Sequence, residues 1–312
     1  MDAVESLGFH CDARILELNS YENRVYQIGI EDALPVVGKF YRDGRWSDDA
    51  ILEEHGFTLE LAEGEIPVVP PMEIGGATLH HFGDFRFALY ERRGGRAPAL
   101  DSLDALEVMG RFIGRIHAVG AEKSFKHRPT ISIETFGEDA RTVLLEGNWL
   151  PPDVLPAYES VSEGLLADLH RAFASVETTP IRLHGDCHPG NVLMREDTPH
   201  FVDFDDARSG PAIQDLWMLL SGDRETQQAQ LHRVLDGYFD FMEFNPVELR
   251  LLEGFRALRL MYHAAWIARR WDDPAFPRAF PFFGTSRYFS EHILELREQW
   301  AKIDEPPLSI FR

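Results

Sequence analysis

The feature that most constrains this chain is the stretch 181–206, IRLHGDCHPGNVLMREDTPHFVDFDD. An apolar run leads into His184-Gly185-Asp186. Asn191 opens a second apolar run through Val192, Leu193 and Met194. A polar turn over 195–199 then reverses the chain, and Phe201-Val202 delivers Asp203. Two short apolar runs around a turn read as a hairpin, so Asp186, Asn191 and Asp203 are expected around one mouth. Singly, each could serve an Asx turn beside Pro189 and Gly190. As an ordered set they interrupt an apolar hairpin with polar groups that burial penalises, which a purely structural loop has no reason to do.

The set has the composition that phosphoryl transfer needs. One carboxylate orients an acceptor hydroxyl and takes its proton, while an amide oxygen and a second carboxylate hold magnesium against nucleotide phosphates. A hard cation prefers such oxygen ligands and keeps some of its waters. The competing reading is a zinc site on His184 and His188, four residues apart. That spacing converges on one metal only on a helix, and Gly185, Pro189 and Gly190 argue against one. His184 is expected instead to brace the loop by hydrogen bonding.

Upstream of this stretch, strand signals dominate: 25–30, VVGKFY at 36–41 and FRFALYE at 85–91. Between them 47–63 has helical spacing, with Ser47 and two aspartates at its start. After Arg92-Arg93-Gly94-Gly95 the period changes, and 102–120 carries one apolar helical stripe. Further helical segments are expected over 153–177, 211–221, 225–243, 246–271 and 285–301, with short strands near 181–184 and 201–204. The expected fold class is therefore α+β: a small β-rich lobe, 1–92, and a larger, mainly helical lobe, 93–312, joined near 91–96.

Composition narrows the partners. The formal charge of −21 repels phosphate backbones, which excludes nucleic acid as a main partner. No run approaches the roughly 20 apolar residues of a membrane span. Two cysteines, Cys11 and Cys187, in an otherwise cysteine-free chain read as free thiols of a reducing compartment, and the acidic N-terminus MDAVESLGF is no secretory signal. A cytoplasmic, monomeric protein without membrane or nucleic-acid partners is expected.

The pattern h-H-G-D-x-x-x-x-N followed by h-x-D resembles the catalytic loop of the aminoglycoside phosphotransferase/choline kinase superfamily, relatives of the protein kinases. LNSYENRVYQI (18–28), KFYRDGRW (39–46), ILEEHGF (51–57), RLHGDCHPGN (182–191), FVDFDDARSGPAIQDLWMLL (201–220) and RRWDDPAFP (269–277) resemble more closely the bacterial stress response kinase A group of Ser/Thr kinases. The resemblance implies a two-lobed, protein-kinase-like fold with nucleotide bound by 1–92 and catalytic and substrate groups in 93–312. It makes Asp186 the catalytic base, Asn191 a magnesium ligand and Asp203 a catalytic, metal-binding carboxylate. The triplet here is Asp203-Phe204-Asp205, where protein kinases have D-F-G.

Lys39, which alone reads as an edge-strand lysine reaching for water, becomes the partner of the nucleotide phosphates. Glu54, rather than its neighbour Glu53, is expected to hold it. Ser20, in the glycine-free loop 19–24, becomes an ATP contact, and 87–92 the linker that meets adenine. The implied cofactors are ATP and Mg2+. The implied activity is transfer of a phosphoryl group to Ser/Thr hydroxyls of proteins, the chain itself included, in a stress response. A small-molecule kinase acting on an amino alcohol, sugar or aminoglycoside is the alternative.

Overall fold

Strands β1 (Cys11–Leu18), β2 (Arg24–Ile30), β3 (Val36–Phe40), β4 (His80–Phe82) and β5 (Phe85–Glu91) form an antiparallel sheet in the order β1-β2-β3-β5-β4. The computed structural model describes residues 1–18 and 20–311. The three strands legible in the sequence are the inner ones. β1 is mostly exposed and its register shifts between Cys11 and Ile15, where Asp12, Ala13 and Arg14 break any alternation. β4 is three residues long, too short to carry a pattern.

β3 lies between β2 and β5, with Lys39 opposite Val25 on one side and Ala88 on the other. Lys39 is therefore on an inner strand and buried, not on an edge. One face of the sheet packs Ile28, Ile30, Val36, Phe87 and Leu89 together with Ala3 and Val4. Each of the larger side chains contributes about 1.5–3 kcal/mol through burial.

Helices are numbered along the chain from α1 (Asp2–Glu5). α2 (Asp48–Glu63) begins where expected: the Ser47 side chain accepts from the Ala50 amide at 3.2 Å, and Asp48 and Asp49 favour the positive helix start. It buries Ile51, Glu54, His55, Phe57 and Leu61. α3 (Leu103–Glu122) is capped in the same way by Ser102. It packs closely on α7 (Arg224–Tyr238), because a Cβ at Gly110 or Gly237 would overlap the facing backbone carbonyl of Val234 or Glu107. His117, on α3, is buried and bonded through Nδ1 to the Tyr238 hydroxyl at 2.9 Å.

The chain divides into two compact units. The first comprises Met1–Pro129, Ile181–Gly210 and Met218–Phe244, so the sheet, α2, α3, α7 and the whole 181–206 stretch belong to one unit. The second comprises Thr130–Pro180, Pro211–Trp217 and Asn245–Arg312. Its elements are α4 (Asp139–Glu146), α5 (Leu155–Ala174), α6 (Ile213–Leu216), α8 (Leu252–Arg269), α9 (Ala275–Ala279) and α10 (Ser286–Ile303). α4 and α9 carry no clear stripe in the sequence; α4 continues directly from a π-helical turn, Glu134–Glu138. Among the aromatic residues near the end of the chain, Phe276 and Phe283 are core, whereas Phe282 is exposed. Among the described residues no helix is long and apolar enough to cross a membrane. Cys11 and Cys187 form no disulfide.

Candidate active site

The 181–206 stretch folds as its pattern predicts, with one shift. β6 (Ile181–Leu183) pairs with β9 (Arg208–Gly210). β7 (Val192–Arg195) and β8 (Thr198–Phe201) form the hairpin, in register from Val192 opposite Phe201 to Arg195 opposite Thr198. The second strand thus ends at Phe201, where the sequence placed its start. Beyond it the backbone turns sharply: Asp203 adopts a left-handed conformation with φ 59° and ψ 63°. That conformation is costly for a residue with a side chain and recurs at functional sites.

The hairpin is stitched from both edges. Val69 N–H donates to the Phe201 carbonyl at 3.2 Å and Phe201 N–H to that of Pro67 at 2.9 Å. On the other edge Arg96 and Met194 exchange backbone bonds of 3.1 and 2.8 Å. The proline-rich segment after α2 and the segment after β5 therefore fix the hairpin relative to the sheet within one unit.

The loop that carries Asp186 is braced by His184, fully buried. Its Nε2 donates to the Val202 carbonyl at 2.9 Å and its Nδ1 accepts from the Asp186 amide at 3.4 Å. Both ring nitrogens face backbone, so the zinc alternative loses its first ligand. Among the described residues no group of three or more His, Cys, Asp or Glu is arranged to hold a metal. Gly185, at φ +85°, sits where a Cβ would strike the Asp206 carbonyl. Asn191 ends a 3-10 turn, and its Nδ2 donates to the Asp186 carbonyl at 3.0 Å and lies 3.5 Å from Asp186 Oδ2. This fixes the amide orientation and leaves its oxygen as the group Asn191 offers to a cation.

Asn191, Asp203, Lys39, Ser20 and Glu54 all line one cavity of about 340 Å3, with Val25, Val37, Val69, Tyr90, Leu193 and Val202 as apolar walls. Asp186 is held beside that lining by its bonds with Asn191. Lys39 Nζ donates to Asp203 Oδ1 at 2.9 Å and lies 3.1 Å from Asp205 Oδ1, the latter an ionic contact rather than an aligned hydrogen bond. Burial works against the ammonium, but the charges of Asp203 and Glu54 outweigh it and hold the Lys39 pKa above the ordinary lysine value. Partial desolvation in the cavity raises the Asp203 carboxyl, and the Lys39 ammonium more than reverses this. The Asp203 side chain is 49% exposed, whereas that of Asp205 is 4% exposed.

Of the two candidate glutamates, Glu54 faces inward, as expected. It does not pair with Lys39. Its Oε2 is held by Arg128 Nη2 at 2.9 Å. Glu53 points away and accepts the backbone amides of Lys126, His127 and Arg128 at 2.6–2.9 Å, which seats the loop that carries Arg128.

Ser20 lines the cavity, and its Oγ accepts from the Asn23 amide at 3.4 Å. Asn19, the other polar residue at the start of that loop, lies outside the described residues. The loop has no glycine and is shaped by side chains instead. Arg42 donates to the Glu22 and Tyr21 carbonyls at 3.0 and 3.2 Å, and the Asn23 carboxamide accepts from the Arg42 amide at 3.2 Å. Arg45 pairs with Glu22 at 3.2 Å, with Asp206 at 2.9 Å and with Asp205.

The profile of the phosphotransferase enzyme family matches residues 14–252. The stress response kinase A of Escherichia coli O157:H7 is 44% identical over 310 residues, 99% of this chain and 94% of that one. The serine/threonine protein kinase RdoA of Salmonella typhimurium is 42% identical over the same shares. The chain belongs to the phosphotransferase enzyme family, among the stress response kinase A proteins. The fold is shared more widely: a solved amicoumacin kinase, hAmiN, in complex with AMP-PNP, Ca2+ and its ligand, superposes with a TM-score of 0.75 at 19% identity, covering 100% of this chain and 96% of that one.

Sequence reasoning missed three residues that brace this phosphotransferase's cavity from behind its lining: Arg45, Arg128 and Asp205. Arg45 and Asp205 stand inside the family-like blocks, in KFYRDGRW and FVDFDD, but nothing in a sequence pairs residues 160 positions apart. Arg128 stands in an unpatterned loop, HRPT, and carries no local signal.

Proposed function

We propose that this phosphotransferase is an ATP- and magnesium-dependent Ser/Thr protein kinase of the bacterial stress response, cytoplasmic and able to phosphorylate itself. The observation that carries the reading is the convergence of Lys39, Asn191 and Asp203 on one cavity, with Asp186 bonded to Asn191 at its side, in a chain 42–44% identical to proteins named for that activity.

The donor set suits magnesium: one amide oxygen with its NH2 already committed, and one carboxylate that is half open to the cavity. Asn191 and Asp203 would hold the ion, which when bound neutralises charge on the transferring phosphate. Lys39 would meet the α- and β-phosphates and Ser20 the phosphate end of the nucleotide, with the valine-lined walls against adenine. Asp186 accepts the proton of the attacking hydroxyl. His184, through its bond to the Asp186 amide, keeps that carboxylate on its loop.

The deciding experiment incubates the purified chain with labelled ATP, magnesium and a generic protein acceptor, beside Asp186→Asn as control. Label on the acceptor and on the kinase itself, lost in the control, is expected. The second reading, a small-molecule kinase, draws support from the formal charge of −21, which attracts a cationic amino alcohol. Rapid ATP consumption with one small alcohol and label on no protein would establish it in place of the first.

A further inference from the structure

In the proposed mechanism Lys39 must hold one orientation while nucleotide comes and goes. Three carboxylates surround it, and they are not equivalent. Asp203, 2.9 Å away, is the half-exposed one, and it is the residue whose charge a bound cation would draw on. Asp205, 3.1 Å away, is enclosed and is gripped on its other oxygen by Arg45, which also holds Asp206 and Glu22. Glu54 acts on Lys39 only through space.

Glu54 is committed elsewhere. The Arg128 side chain is wholly enclosed and uses its planar fork in full. Nη2 donates to Glu54 Oε2 at 2.9 Å, Nε to the Ala50 carbonyl at 2.8 Å and Nη1 to the Asp205 carbonyl at 2.6 Å. The guanidinium also lies over the Trp46 ring, 4.3 Å from its centroid. Arg128 thus ties α2 to the loop that follows Asp203. Swinging Glu54 to Lys39 would leave a buried guanidinium without its counter-charge, the costliest way to break a buried pair. A glycine at position 205, as in D-F-G, could offer Lys39 nothing; this chain has an aspartate there.

We propose that Asp205 is the standing carboxylate partner that positions Lys39, and that Glu54 is reserved to Arg128 as the tie between α2 and the 203–207 loop. Asp205 is a positioning residue, acting on the nucleotide through Lys39. The proposal rests on the reading of Lys39 as a phosphate partner for its functional meaning, but its pairing pattern is testable without nucleotide.

Double-mutant cycles on thermal unfolding of the full chain separate the pairs. The melting shifts of Lys39→Met and Asp205→Asn are expected to be non-additive, as are those of Glu54→Gln and Arg128→Met, whereas Lys39→Met and Glu54→Gln should couple more weakly than either pair, through the charge of Glu54 alone. In calorimetry with AMP-PNP and no metal, Asp205→Asn should weaken binding about tenfold, the effect of one misplaced charge-assisted contact. Coupling of Glu54 to Lys39 as strong as that to Arg128, or additivity of Lys39 with Asp205, overturns the proposal. Should Asp205→Asn not fold, the two Glu54 cycles decide alone: stronger coupling to Arg128 than to Lys39 supports it, and coupling to Lys39 as strong or stronger overturns it. A wild-type chain that shows these couplings yet binds no nucleotide would sink the kinase reading and leave the pairing intact.

Discussion

The cleft of the first unit and the core of the second are held by different forces. Around Lys39, ionic side chains from β3, α2 and the 123–129 and 203–207 loops meet through directional bonds of 2.6–2.9 Å. The second unit is organised by rings. Trp149 contacts Trp271 and Phe283 at centroid distances of 5.7 and 5.3 Å, and Phe289 joins Phe283, Tyr158 and His292 at 5.7–6.4 Å. There the Tyr158 hydroxyl and His292 Nε2 are enclosed without a hydrogen-bond partner among the described residues. Directional bonds fix geometry and can be exchanged when a charged ligand arrives. Ring packing fixes only shape; enclosed polar atoms without a hydrogen bond cost stability in either unit, as Trp46 Nε1 and His80 Nε2 do in the first among the described residues.

The sharpest way to test this division is to remove function without touching packing. Asp186→Asn should lower phosphoryl transfer about 10²–10⁴-fold while the melting temperature stays near that of the parent, measured by labelled-ATP transfer and calorimetry side by side. Conversely, Phe289→Ala in the second unit should cost about 3–5 kcal/mol of stability, read by denaturant unfolding. A similar loss of stability from Asp186→Asn would break the comparison.

A third test uses pH. Burial, helped by nearby His263, pushes His292 down to about 4 from the ordinary 6.5. Between those values the unfolded chain takes up a proton that the folded chain refuses, so stability falls as pH drops from about 6.5 to about 4, by up to about 3 kcal/mol. His292→Phe should make the acid limb of a melting-temperature profile shallower; an unchanged limb would show that the ring is not enclosed. The smallest effect belongs to the surface. Arg287→Ala, which removes an exposed pair with Glu291 at 3.0 Å, should shift stability by less than about 0.5 kcal/mol.

Several parts of this molecule were legible because the signal is local. The helix start at Ser47, the inner strands and the order Asp186, Asn191, Asp203 all rest on neighbours within a few residues. The resemblance carried by blocks such as RLHGDCHPGN pointed to the family that the 44% identical relative bears out. The last strand was displaced because Val202 and Asp203 continue an apolar pattern that the left-handed turn at Asp203 cuts short. α4 and α9 were missed because short helices without a stripe depend on what packs over them.

The sequence by itself determined which chemical groups are present and in what order: a strand lysine, a loop aspartate, an amide and a carboxylate around a hairpin. Only the tertiary structure decided who pairs with whom. Glu54 and Asp205 are both carboxylates with a lysine in reach, and no pattern along the chain distinguishes them. Arg128, arriving from a loop 74 residues beyond Glu54, occupies one and leaves the other to Lys39. Ionic partners are chosen by distance in space and by enclosure from water, and neither quantity is written in the spacing of residues.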